Sequence, residues 1–247
     1  MMQFRFAGND LADNGSILIK TDGLGASDGE ISISEYASIS GGIVAKTRIP
    51  SREITLTYAI VGSDPEEARI IARQTYPMLK RGTLEIITPY KDVVTTAYVK
   101  RVECDLWKQR QQIDITLVCP DPYLYSTVSK TVPAETNQWS VVNEGEQVGC
   151  VCQVARTGYV RIAGSEKRLR WDASSVVTDP NAVLTLDMRE GKRDLYYMDG
   201  TDKVSLLDYI LEWNWFLLPH TPDGHLVLVR SNAVNGTLTF TERWLGI

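Results

Sequence analysis

Between Arg52 and Val61 the chain alternates: Ile54, Leu56, Tyr58 and Ile60 interleave with Glu53, Thr55, Thr57 and Ala59. A period of two puts one set on each face of a strand, so the segment predicts a strand with one buried and one wet face. The pattern returns at Ile113, Ile115, Leu117 and Cys119, interleaved with Asp114, Thr116 and Val118. Leu84 to Ile87 and Val93 to Val102 are rich in β-branched and aromatic residues, and Pro89 to Asp92 between them has a turn composition. One segment departs from period two. Ser63 or Asp64 is a capping residue, Pro65 suits a first helical turn, and Glu66 and Glu67 lie where the helix dipole favours negative charge. Ala68, Ile71, Thr75, Met78 and Leu79 then recur at spacings of three and four. Lys80, Arg81 and Gly82 read as a cationic last turn with a glycine stop, which predicts one helix over Asp64 to Lys80. Pro77 inside it predicts a kink or an early end near Tyr76.

After Cys119-Pro120-Asp121-Pro122-Tyr123 the pattern changes to short strands with Gly, Asn and Asp turns. Candidates are Gln147 to Ala155, Tyr159 to Ala163, Ala182 to Met188, Asp194 to Met198, His225 to Arg230 and Thr237 to Trp244. The expected fold class is mainly β. Residues 1–126 form a β-sandwich or split barrel with one α-helix, and residues 127–247 form an antiparallel β-sandwich.

A length of 247 residues suits two cores better than one. With 43% hydrophobic and 23% charged residues the chain is ordinary globular material. No run approaches the length of a membrane span, and the opening MMQFRFAGND lacks the apolar core of a secretory signal, so export by the general route is not expected. The net charge of −5, spread over both halves, argues against a basic nucleic-acid binder. Cys104, Cys119, Cys150 and Cys152 are too few and too scattered for a disulfide scaffold and read as reduced, mostly buried strand residues.

Candidate chemistry is thin. His220 and His225 are five apart with Pro222 and Gly224 between them, which fits an exposed hairpin loop and not the one-face pair of a helical metal site. Cys150-Val151-Cys152 places both thiols on one face of a strand, as core residues. There is no Gly-x-Ser-x-Gly elbow, and Gly23-Leu24-Gly25 has no following helix to cradle a phosphate. The sequence therefore assigns no catalytic, cofactor-binding or metal residue, and the chain reads as a non-enzyme. Trp213 and Trp215 alternate along a strand-like stretch and are expected to fill the second core, whereas an exposed Trp would suit a sugar ring. The segment from Asn9 to Glu30 sets Asp10, Asp13, Asp22, Asp28 and Glu30 against Lys20 alone. Such a run is ordinarily a solvated loop.

The order of motifs carries a resemblance. Gly41-Gly42 leads into Ile49-Pro50-Ser51-Arg52-Glu53-Ile54-Thr55-Leu56. One helix and a hairpin follow, and the half closes on Thr116-Leu117-Val118-Cys119-Pro120-Asp121-Pro122-Tyr123-Leu124-Tyr125. This resembles the N-terminal ring domain of the siphophage distal tail proteins (Dit). Val142-Asn143-Glu144-Gly145, Leu184-Thr185-Leu186-Asp187, Met198-Asp199-Gly200 and Phe216-Leu217-Leu218-Pro219 are similar to the galectin-like β-sandwich of that family. Leu124 stands where an aromatic residue is more usual, and Thr221 to Gly224 replace a short Gly-Asn turn. The resemblance implies a virion structural protein at the tail tip or baseplate, closing with itself into a ring, commonly a homohexamer. It implies docking to the tail tube protein, the tail-tip hub and a receptor-binding protein, with DNA crossing the lumen. Part of the acidic segment is then expected to face that channel or the neighbouring tube subunit. No cofactor and no membrane partner are expected. The alternative is a carbohydrate-binding adhesin module of a virion, which would be retained on glycans.

Overall fold

The computed structural model describes residues 2–12, 15–26, 29–35, 42–62, 64–75, 80–105, 111–135, 137–221, 226–230 and 236–247. The chain divides into two compact units, residues 1–127 with the closing residues Trp244–Ile247, and residues 128–243. Every strand pairing described is antiparallel.

In the first unit the strands are β1 (Gln3–Phe6), β2 (Asn9–Asp10), β3 (Ser16–Asp22), β4 (Glu30–Glu35), β5 (Gly42–Arg48), β6 (Arg52–Ile60), β7 (Arg81–Ile87), β8 (Asp92–Asp105), β9 (Gln111–Cys119) and β10 (Leu124–Ser126), with one helix, α1 (Pro65–Thr75). The main sheet runs β2-β1-β7-β8-β9-β6-β3, and β10 pairs with β8. The first half of β8 pairs with β7 and its second half with β9, with a register shift between Val99 and Arg101. The long strand thus joins two half-sheets around one core, built from Phe4, Leu84 and Ile86 on one side and Ile54, Leu56, Ile113, Ile115 and Leu117 on the other. The alternating segments at 52–61 and 113–119 are neighbours, paired from Arg52 opposite Cys119 to Ile60 opposite Gln111. Their apolar sets face inward together.

The helix starts where its cap predicts. Asp64 Oδ1 accepts the backbone N–H groups of Glu66 and Glu67, each at 2.9 Å, satisfying two of the donors that a helix start leaves open. Ala68, Ile71 and Ala72 turn into the core. The expected C-terminal signal belongs to the next strand: Arg81 and Gly82 open β7 and do not close the helix, which is described to Thr75. Gly82 is needed for close packing, because a Cβ there would lie 2.9 Å from that of Ala7. The kink or early end expected at Tyr76 and Pro77 lies outside the described residues.

The Pro-rich joint sits inside the first unit. Asp121 organises it, accepting the Tyr123 N–H at 3.0 Å and the Tyr125 hydroxyl at 2.7 Å, and Leu124 is fully buried. A leucine at the position where an aromatic is more usual therefore still fills core. β10 follows within the first unit, and the division between units falls after Thr127.

The second unit is a sandwich of two sheets. The first contains β11 (Lys130–Pro133), β21 (Thr237–Phe240), β13 (Cys150–Ala155), β16 (Val183–Asp187), β17 (Asp194–Asp199) and β18 (Asp202–Ser205), in that order. The other contains β12 (Gln138–Val141), β20 (Leu226–Arg230), β14 (Thr157–Ile162), β15 (Leu169–Asp172) and β19 (Ile210–Trp213). Their inner faces share one core around Trp139, Trp171, Cys150, Cys152, Leu186 and Leu228. Asp199-Gly200 turns β17 into β18, with Gly200 at φ 61°.

Candidate assembly surfaces

The described residues among the chemical candidates are placed as structure. His220 Nδ1 lies 2.9 Å from the Gly145 carbonyl in a part-buried contact, and His225 is outside the described residues. Among the described residues no group of three or more His, Cys, Asp or Glu converges as metal ligands would. Cys150 and Cys152 face the core with sulfurs 3.8 Å apart, and burial pushes the Cys119 thiol up to about 11 despite the nearby Arg52. Cys104 is exposed, unlike the other three. Among the described residues, no helix is long and apolar enough to cross a membrane.

Two motif fragments of the second unit, far apart in sequence, meet at Asn143. Its buried amide nitrogen donates to the carbonyls of Glu146 (3.0 Å), Leu218 (3.3 Å) and Pro219 (3.1 Å). Its Oδ1 accepts the Gly145 N–H at 3.3 Å, and its backbone N–H donates to the Thr221 hydroxyl at 2.8 Å. The Asn-Glu-Gly and Phe-Leu-Leu-Pro segments are thus one hydrogen-bonded knot. The tryptophan pair divides. Trp215 packs on the core, but Trp213 is 54% exposed at the end of β19, its ring 6.2 Å from that of Trp215. The expectation that both fill the core fails because period two does not carry from Trp213 to Trp215: β19 ends at Trp213 and the chain turns there, the Trp215 N–H donating to the Trp213 carbonyl at 3.1 Å.

A residue not singled out in the sequence holds the first unit together. Arg52, 3% exposed, donates Nε to the Pro122 carbonyl at 2.9 Å, and Nη1 to the Gly23 and Gly25 carbonyls at 3.0 and 3.1 Å. Its Nη2 donates to the Leu245 carbonyl. The Gly23-Leu24-Gly25 run is therefore an acceptor loop for a buried guanidinium. Gly23 has φ 81°, and a Cβ there would lie 1.9 Å from the Glu53 carbonyl oxygen. Burial lowers the Arg52 pKa from its ordinary value, and four carbonyl acceptors offset the loss of water.

The outer face of the main sheet is polar. Directly opposed residues share a face, so Lys20, Thr57, Asp114 and Glu103 form one row across β3, β6, β9 and β8. Asp22, Thr55, Thr116 and Arg101 form the next. The cations are answered locally: Lys20 by Asp22 at 3.8 Å, Lys100 by Glu53 at 2.5 Å and Arg101 by Glu103. Asp114 takes the Thr57 hydroxyl at 2.6 Å and the Gln112 amide at 3.2 Å. Between these rows the face is hydrophilic, balanced in sign and slightly acidic; beyond them, at the β3 margin, Ile17 and Val61 leave an exposed apolar strip on the same side.

The acidic segment contributes one member to it. Asp22 lies on this face, Asp10 accepts the Ala12 N–H at 2.9 Å, and Glu30 pairs with Arg48 at 2.7 Å. Asp13 and Asp28 are outside the described residues.

No family model matches the chain, and no curated protein does. The fold has clear counterparts among solved structures. The crystal structure of the SPP1 Dit protein (gp 19.1), described as a paradigm of hub adsorption apparatus in phages infecting Gram-positive bacteria, superposes with a TM-score of 0.70. The likeness covers 99% of each chain at 13% identity. Chains of the phage P2 baseplate in its activated conformation, solved with calcium and with strontium, match over their whole length with TM-scores of 0.50 at 9% and 10% identity. The chain has the Dit fold in both units.

Proposed function

We propose that this chain is a structural component of a phage tail tip, a non-enzymatic subunit that closes into a homohexameric ring. The ring continues the tail tube and docks the tail-tip hub and the host-binding proteins in the virion. The observation that carries this reading is the end-to-end likeness to a hub adsorption protein and to baseplate chains, which includes the order of the two units. The first unit, residues 1–127 with Trp244–Ile247, is the ring-forming part, and residues 128–243 are the galectin-like appendage.

The polar face of the main sheet supports the same reading. DNA leaving a tail must pass the ring without being held. Phosphates bind clustered Lys and Arg through counterion release, so a basic lining would act as a brake. Lys20, Lys100 and Arg101 are each neutralised by a carboxylate within the face, and Asp114 adds further negative charge. This face, carrying Asp22 of the acidic segment, is the one suited to a channel. Among the described residues the adhesin alternative has only the exposed Trp213 to rest on, and a single surface tryptophan is ordinary.

Electron microscopy of the purified full chain tests the reading. The expected image is a ring with an open axial channel lined by the β3-β6-β9-β8 face. A ring whose bore is lined by other elements rich in Lys and Arg would refute the channel assignment, and the absence of rings would refute the function.

A further inference from the structure

Two apolar surfaces of the first unit lack a partner among its described residues. The first is the β4–β5 hairpin, which forms a sheet of its own. Ile33 opposes Val44, and Ile31 lies two residues before Ile33, so all three project from one face. The second is the long free edge of the main sheet. Among the described residues β3 is bonded only to β6, and Ile17 lies opposite Ala59 on the same face as Val61, whose backbone pairs with Gly15; Ile19 sits at a register shift of the same strand. These six branched side chains are 53–62% exposed. A lone hairpin is marginal in water, and a long apolar strand edge invites pairing unless it is blunted.

We infer that the β4–β5 hairpin of one copy docks head to tail on the β3 edge of the next, Ile31, Ile33 and Val44 covering Ile17, Ile19 and Val61. The inference rests on the ring reading and names its interface. The occupant is a second copy because the two surfaces match in chemistry and extent, three branched aliphatics on each. Charge does not oppose the contact: Glu30–Arg48 on the hairpin and Lys20–Asp22 on the edge are each paired internally. An edge-on-edge contact with two-fold symmetry would cover β3 and leave both hairpins bare. A head-to-tail contact covers both surfaces of every copy and closes when its rotation divides a full turn.

Native mass spectrometry of the full chain tests this with Ile33→Asp in the hairpin, Ile17→Asp on the edge, and an equal mixture of the two variants. Each variant alone should be monomeric where the unmodified chain is a closed oligomer. The mixture should give a one-to-one dimer and nothing larger, because such a pair retains one usable hairpin and one usable edge. If circular dichroism shows either aspartate variant unfolded, Ile33→Ser and Ile17→Ser replace them with the same expectation. Closed oligomers that survive both substitutions overturn this interface and leave the ring reading standing. Dimers of the hairpin variant alone overturn it in favour of edge-on-edge pairing. A monomeric unmodified chain at its highest soluble concentration overturns both.

Discussion

At the scale of single residues, the main sheet is held by buried polar groups whose partners differ in number. Arg52 reaches four carbonyls, whereas the hydroxyl of fully buried Tyr58 meets no partner among the described residues. Burial, with Asp10 adding to it, raises the Tyr58 pKa, so the ring stays neutral and its hydroxyl is a net cost. Tyr58→Phe should therefore stabilise the chain by about 1 kcal/mol in chemical denaturation, since removing an unsatisfied buried group recovers its desolvation penalty; a destabilised variant would show a partner that the described residues lack. In the second unit, burial acts to raise the Asp187 pKa, but the Arg189 guanidinium and backbone N–H outweigh it, and the net shift is downward. A depressed carboxylate pKa contributes stability above the unfolded value and loses it as pH falls through the folded one. The stability gap between the unmodified chain and Asp187→Asn should be full at neutral pH and shrink below about pH 4, where unfolded Asp protonates. Urea midpoints of both proteins across that range check it, and a gap independent of pH would contradict it. The Asp187 role was not legible in the sequence, because its partner lies two residues on at a strand end, where spacing alone does not make a pair.

At the scale of elements, legibility followed local cause. The cap of α1 at Asp64 and the strands β6 and β9 were readable because a side-chain acceptor and a strict period of two act within a few residues. β1 to β5, β10, β11, β12, β15 and β18 were not singled out. Most are short, β3 to β5 expose apolar side chains, and tertiary pairing fixes them. Gly82 shows the limit well: after a helical pattern it reads as a stop, while its real reason is contact with Ala7, far away in sequence. The closing residues are the same kind of case. Trp244–Ile247 read as the end of the second domain, yet they belong to the first unit. The Leu245 carbonyl accepts from Arg52, the Ile247 N–H donates to Leu24 at 3.2 Å, and the Lys91 ammonium lies 3.9 Å from the Trp244 ring centroid. Deleting these four residues should cost about 1–3 kcal/mol, the penalty of leaving a buried donor without its acceptor. Scanning calorimetry checks this, and an unchanged transition would contradict it.

At the scale of the whole molecule, the two-unit mainly β architecture follows from pattern and turn chemistry, and the Dit likeness from the joint and the motif order. No catalytic site was assigned in the sequence, and the described residues among the candidates are used structurally. His220 and the Asn143 knot fix loops, and the Gly23 run receives a guanidinium. The surfaces suited to assembly were harder to see. An exposed isoleucine in a strand looks like a core residue until the sheet order shows that nothing covers it. The central claim is that this chain is a ring subunit, and the mass of the purified full-length protein in solution tests it most directly. The account predicts one closed species of six copies that does not bind glycan resins. A monomer, or a trimer retained on glycans, would contradict it.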